Sequence, residues 1–177
     1  MSIRKRSINM NIKIRNEQAG DTNAITCLTE AAFQGEQHSS HTEQFIVNAL
    51  RRFDQLTISL VATEGDEIVG HVAISPVTIS SGATGWYGLG PVSVWPDRQK
   101  QGVGSKLVKA ALTELQGLGG VGCVVLGNPA YYGRFGFKAQ ACLVLPGVPP
   151  EYFQAISFCG EFPAGDVSFH RAFDATE

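Results

Sequence analysis

The spacing of apolar residues changes along the chain, and each change marks an element. Residues 11–15 alternate apolar and polar and predict a first strand. Asp21 then reads as the N-cap of a helix through Ile25, Leu28, Ala32 and Phe33. A polar loop over 34–40 leads to a second helix beginning near Thr42. Its residues Phe45, Ile46, Ala49 and Leu50 face inward, and Arg51 and Arg52 sit at the C-terminal end, where the helix dipole favours cations. Residues 57–62 read as a strand, 64–66 as a turn and 68–74 as the return strand of a hairpin. After Pro76 a further strand is predicted over 77–79, then a Ser/Gly loop over 80–85. The strand over 86–94 is interrupted by Gly88, Gly90 and Pro91, which predicts a bulge or a splayed end with free backbone groups.

From Val103 the period lengthens. Val103, Leu107, Ala111 and Leu115 recur at steps of four with Val108 and Leu112 beside them, a helical stripe that Gly117, Gly119 and Gly120 stop. The apolar run 123–126 reads as a strand buried on both faces. Asn128 and Pro129 open a short helix through Tyr131, Tyr132 and Phe135, and the chain then turns at Gly136 into a strand near 141–145. Pro146, Pro149 and Pro150 break the chain before 152–156, and 167–170 reads as a final strand. A strand meander followed by strand, helix and strand predicts a mixed α/β sheet. One domain is expected over 11–174, preceded by a poorly ordered leader over 1–10.

With 177 residues, 44% of them hydrophobic, the chain suffices for one sizeable core. A formal charge of -2, from 14 basic and 16 acidic residues, argues against nucleic-acid or membrane partners. No apolar run approaches the roughly 20 residues that span a bilayer. Arg4, Lys5 and Arg6 are not followed by an apolar signal core. Cys27, Cys123, Cys142 and Cys159 are scattered and form no Cys-x-x-Cys, which argues against a disulfide framework and a metal site. A cytoplasmic protein is expected.

The turn between the strand ending at Val94 and the helix beginning near Gly102 carries the chemistry. A helix start offers free N–H groups and the positive end of the dipole, and Gly102 and Gly104 let an anion approach the backbone. Arg98, Lys100 and Lys106 add charge at the same point, so the turn suits a pyrophosphate. A dinucleotide fingerprint would need glycine at 107, which is Leu, and the Gly-Lys-Ser/Thr of a Walker A loop is absent. Instead, Gln99 to Gly104 spells Gln/Arg-x-x-Gly-x-Gly/Ala directly after Val-x-Val-x-Pro. This resembles the coenzyme A motif of the GNAT superfamily of N-acetyltransferases. Tyr132 to Phe137 spells the Tyr-x-x-x-Gly-Phe that such proteins commonly carry after the next strand. The resemblance covers Ile12 to Phe173, and the Pro-Gly-Val-Pro-x-x-Tyr-Phe after Leu145 looks like a bacterial subgroup of uncharacterised acetyltransferases.

The resemblance implies a mixed sheet of six or seven strands with helices on both faces, splayed at the acetyl-CoA site. It implies acetyl-CoA as co-substrate without a metal, and direct transfer to an amine on a small molecule or peptide. Val92, Ser93 and Val94 would pair with pantetheine, and Lys100, Gln101, Gly102, Val103, Gly104 and Ser105 would hold the pyrophosphate. Asn128 and Tyr132 would contact the cofactor near its thiol, with Tyr132 as general acid; the plain alternative is a packed tyrosine. The base stays open between Glu43, His71 and water, with Glu36 and His38 in the preceding loop. His38 and His41 lack a partner carboxylate for a metal, and Cys123 and Cys142 read as core residues. Phe33, Trp86, Tyr87 and Tyr152 are candidates for a substrate pocket or for core packing. Rival readings are a non-catalytic acyl-CoA-binding sensor or partner module, and an acyltransferase using another acyl group or acceptor. Homodimers are common in the superfamily, but no interface is identified.

Overall fold

A computed structural model describes residues 11–177, so the leader expected over 1–10 lies outside the described residues. The first half of the chain forms β1 (Ile12–Asn16), α1 (Thr22–Phe33), α2 (Glu43–Arg52), β2 (Ile58–Glu64), β3 (Glu67–Ile79) and β4 (Trp86–Val94). The second half forms α3 (Val103–Gly117), β5 (Gly122–Leu126), α4 (Pro129–Tyr132), β6 (Leu143–Val144), β7 (Phe153–Ser157) and β8 (Gly165–Phe169). The main sheet runs β1-β2-β3-β4-β5-β7, antiparallel except where β4 meets β5, and β8 joins β3 to β6. This is the mixed α/β sheet expected from the sequence. Among the described residues no helix is long and apolar enough to cross a membrane.

β3 departs from expectation in one respect. Pro76 reads as a break, yet the strand passes through it for 13 residues. It pairs with β4 as far as Pro76 and with β8 from Val77 to Ile79. A proline has no amide hydrogen to give a ladder, and here it stands where one partner strand hands over to another. The strand predicted near 141–145 shrinks to Leu143–Val144, for which β8 offers only Gly165 and Asp166. Cys142 is therefore exposed rather than in the core. Conversely, the segment after Pro150 supplies β7, which covers the outer edge of β5 from Gly122↔Ser157 to Leu126↔Phe153.

The two faces of the sheet follow from strand alternation. Ile58, Leu60, Ala62, Val72, Ile74 and Leu89 form one face and cluster with the α3 stripe of Val103, Leu107, Val108, Ala111, Leu112 and Leu115. Burying each large side chain of this set contributes about 1.5–3 kcal/mol. Val61 points to the opposite face, against Ile25 of α1 and Val47 of α2. Asp21 does occupy the N-cap of α1, but its side chain does not cap the helix. Its carboxylate accepts from Arg15 at 2.6 and 3.1 Å and from the Gln18 amide at 2.8 Å. The Arg15 hydrogen bonds hold the Asp21 carboxyl below the usual carboxylate range.

Candidate active site

The bulge expected at Gly90 and Pro91 opens the sheet. Val72 pairs with Val92 and Ile74 with Leu89, so Gly90 and Pro91 of β4 stand opposite Ala73 alone. β4 and β5 pair only from Trp86↔Gly122 to Gly88↔Val124. Beyond that point β4 keeps to β3 and β5 to β7, leaving an opening between residues 89–94 and 125–127. The Trp95 amide donates to Val69 O at 3.1 Å across the β3 side. Strand alternation then directs the backbone of Ser93 toward β3 and that of Val92 and Val94 toward the opening. The Ser93 side chain is fully buried and donates to Thr29 Oγ1 of α1 at 3.3 Å.

The start of α3 closes one end of this opening. Gln99 Nε2 donates to Val94 O at 3.1 Å and ties the turn to the end of β4. Gln101 Nε2 donates to Asp97 O at 2.8 Å. Lys100 is exposed at φ 59°, and Gly102, the N-cap, takes φ 87°, where a side chain would be strained. Val103 faces the core, so only its backbone is available at the turn. Gly104 is ordinary helix and needs no glycine for its backbone angles. Its constraint is space: a Cβ there would lie 2.7 Å from the Tyr131 hydroxyl and 3.7 Å from Val94 Cγ2. Arg98, expected to add charge here, is instead engaged by Glu64 at 3.0 Å and Asp97 at 3.2 Å.

The third wall comes from α4. Asn128 Oδ1 accepts from the Ala130 amide at 2.9 Å and caps this helix, whose first residue is Pro129. The Tyr132 ring meets Tyr131 edge-on at 4.9 Å and Phe137 at 6.0 Å. Burial, with a smaller contribution from Tyr131, pushes the Tyr132 phenol above the ordinary tyrosine value, so it is protonated at neutral pH and a weaker acid than an exposed tyrosine. Two residues here escape a sequence reading. Tyr131 abuts Gly104, and Arg134 lies 4.5 Å over the Tyr131 ring with Nη2 donating to Ser105 Oγ at 3.4 Å. Their only sequence signal is helical spacing after Pro129. Arg134 brings a cation to a helix end that is already positive, an arrangement that an anion stabilises.

The base candidates divide. His71 is wholly buried, with Nε2 2.8 Å from Ser59 Oγ. The Ser59 hydroxyl gives its single proton to Glu17 Oε2, so His71 donates from Nε2 and its buried Nδ1 has no partner. Glu17 in turn accepts from Arg51 Nε at 2.8 Å. Burial, then the nearby Arg51 charge, lowers the His71 pKa to about 3, too low to take a proton from an amine near neutral pH. Glu36 and His38 are exposed in the loop. His41 Nδ1 lies 3.0 Å from Phe33 O. Glu43 is buried, accepts from Ser39 Oγ at 2.7 Å on Oε1, and has no partner on Oε2.

The remaining candidates are structural or peripheral. Burial pushes the Cys123 thiol up. Trp86 is buried against Phe162, Phe33 and Tyr87 are half-buried, and Tyr152 is exposed. Among the described residues no group of three or more His, Cys, Asp or Glu is placed to hold a metal.

Comparison with known proteins adds an independent line. Residues 13–139 match the family described as acetyltransferase (GNAT) domain. The uncharacterised N-acetyltransferase YhbS of Escherichia coli K12 is 36% identical over 129 residues, which cover 72% of this chain and 74% of that protein. A GNAT family acetyltransferase from Brucella melitensis, crystallised with acetyl-CoA, superposes with a TM-score of 0.84 at 47% identity, covering 93% of this chain and 99% of its own. The crystal structure of E. coli YhbS with CoA also gives 0.84, at 32% identity and 94% and 93% coverage.

Proposed function

This chain belongs to the GNAT acetyltransferase family, and we propose that it binds acetyl-CoA in the opening between β4 and β5 and passes the acetyl group directly to an amine. The parting of those strands after Gly88 carries this reading, because it leaves the backbone groups of Val92 and Val94 facing the opening rather than a partner strand. The acetyl-CoA and CoA complexes of the two structural relatives support it. The amides after Lys100 would hold the pyrophosphate with Arg134 beside them, while Gly104 leaves the space. Acetyl-CoA supplies an activated thioester. The acceptor nitrogen forms the C–N bond, the C–S bond breaks, the nitrogen loses one proton and the CoA sulfur gains one. Tyr132 is our donor for that sulfur, since it stands on α4 beside the opening and its phenol carries a proton at neutral pH. The low proton affinity of His71 leaves the amine proton to water. The four unpaired thiols fit a reducing compartment, and we place the chain in the cytoplasm.

Thermal unfolding against rising acetyl-CoA tests the reading. Ligand at about 100 times its Kd should stabilise the protein by about 2.7 kcal/mol, and no shift up to millimolar concentration would overturn the cofactor site. Tyr132→Phe keeps the ring packed against Tyr131 and Phe137. It is expected to lower kcat about a hundredfold with the KM for acetyl-CoA within about twofold, and an unchanged kcat would make Tyr132 a packing residue only.

A further inference from the structure

Two neighbouring side chains at the start of α2 each bury an oxygen that nothing in the protein satisfies. Glu43 is 8% exposed and Gln44 6%, and Glu43 Oε2 and Gln44 Oε1 have no hydrogen-bond partner. Their other polar atoms are fixed. Glu43 Oε1 accepts from Ser39 Oγ, and Gln44 Nε2 donates to His41 O at 3.3 Å. The two free atoms are therefore acceptors held in place, lacking only donors. Among the described residues no ion pair reaches Glu43, and Arg51 and Arg52 stand at the opposite end of the helix. Buried carboxylate and amide oxygens are regularly paired, so such a pair marks a place for N–H donors from outside.

The fold sets this point beside the transfer site. α2 lies antiparallel to α1, with Asn48 Nδ2 donating to Thr26 Oγ1 at 3.2 Å and His41 Nδ1 close to Phe33 O. One turn of α1 back from Phe33, Thr29 meets Ser93 on the free stretch of β4. α2 itself touches β4. We propose that Glu43 Oε2 and Gln44 Oε1 bind a positively charged nitrogen of the acceptor. This rests on the amine transfer proposed above. The bound nitrogen is not the one acetylated, because a neighbouring carboxylate stabilises the ammonium and so withholds the lone pair that must attack the thioester. The acceptor class is thus a molecule with two basic nitrogens: one is held charged, and the other, as the free amine, gains the acetyl group and loses a proton.

The test is calorimetric titration of the full chain with propane- to hexane-diamines and with the corresponding alkylamines, with and without saturating CoA. The wild type should bind the best diamine at least about tenfold more tightly than its monoamine. Glu43→Gln, with an unchanged urea midpoint as evidence of folding, should abolish that preference. Equal affinities at every length, or a preference that survives in Glu43→Gln, would overturn the proposal. Failure of CoA itself to bind would instead remove the transferase reading, and the titrations without CoA would still decide the role of Glu43.

Discussion

Gly104→Trp is expected to weaken acetyl-CoA binding by more than about a thousandfold, a loss of about 4 kcal/mol, while the protein stays folded. Gly104 lies in the first turn of α3 with ordinary helical geometry, and a helix interior prefers almost any non-proline side chain to glycine. The only evident need for glycine is the space beside the Tyr131 hydroxyl and Val94. An indole there would fill the approach to the amides at the helix start. Urea midpoints would show whether the fold survives, and titration calorimetry would report the affinity. Gly104→Ala with Tyr131→Phe sharpens the test, since removing the hydroxyl makes room for the new methyl. This pair is expected to bind within about tenfold of the wild type. Unchanged affinity in Gly104→Trp would place the pyrophosphate elsewhere.

Stability should fall steeply as the pH drops from about 6.5 toward 3. The unfolded chain protonates a histidine near pH 6.5, whereas folded His71 remains neutral down to about 3. Between those values the unfolded state binds more protons, so unfolding becomes easier as pH falls, by up to about 1.4 kcal/mol per pH unit. Over the whole window the loss reaches about 4 kcal/mol, a large fraction of a typical domain's stability. The cause is local. A protonated His71 would be a buried cation beside Arg51, and the carboxylate that reaches its partner Ser59, that of Glu17, is already shared with Arg51. Asp21 adds an acid-sensitive term only at the bottom of the range, because its pKa lies below 3.8 and its contribution is lost as pH falls through that lower value. His71→Gln retains a donor for Ser59 without a titrating group. Urea midpoints at pH 7, 5 and 4 should therefore decline much less in that variant. Parallel declines would show that His71 does not govern acid unfolding.

The parts of this protein legible in the sequence are those whose physics is local. The α3 stripe and the turn before it are set by residues a few positions apart, and Gly90 and Pro91 announce the bulge because glycine and proline disturb a ladder wherever they stand. Pro76 misleads for the complementary reason. Whether a missing donor ends a strand depends on which strand lies alongside, and β8 is some 90 positions away. Distance also hides the buried network, in which Glu17, Arg51, Ser59 and His71 come from separate parts of the chain, and the meeting of Arg134 with Ser105. Glu43 and Gln44 are concealed by their own chemistry. A helix pattern assigns charged and amide side chains to solvent, and only the packing of α2 buries them.

The strand order also bears on how the molecule comes into being. The family match ends at residue 139, yet β5, next to one edge of the sheet, has β7 as its outer partner, and the far end of β3 waits for β8. On a ribosome, which delivers chains from the N-terminus, both partners emerge late, so a nascent chain through α4 carries β5 as an uncovered edge. Val124 and Val125, buried once synthesis is complete, are then open to mispairing with other chains. Closure of the sheet is a late, long-range event, and a protein cut back to the matched region would retain that vulnerability permanently.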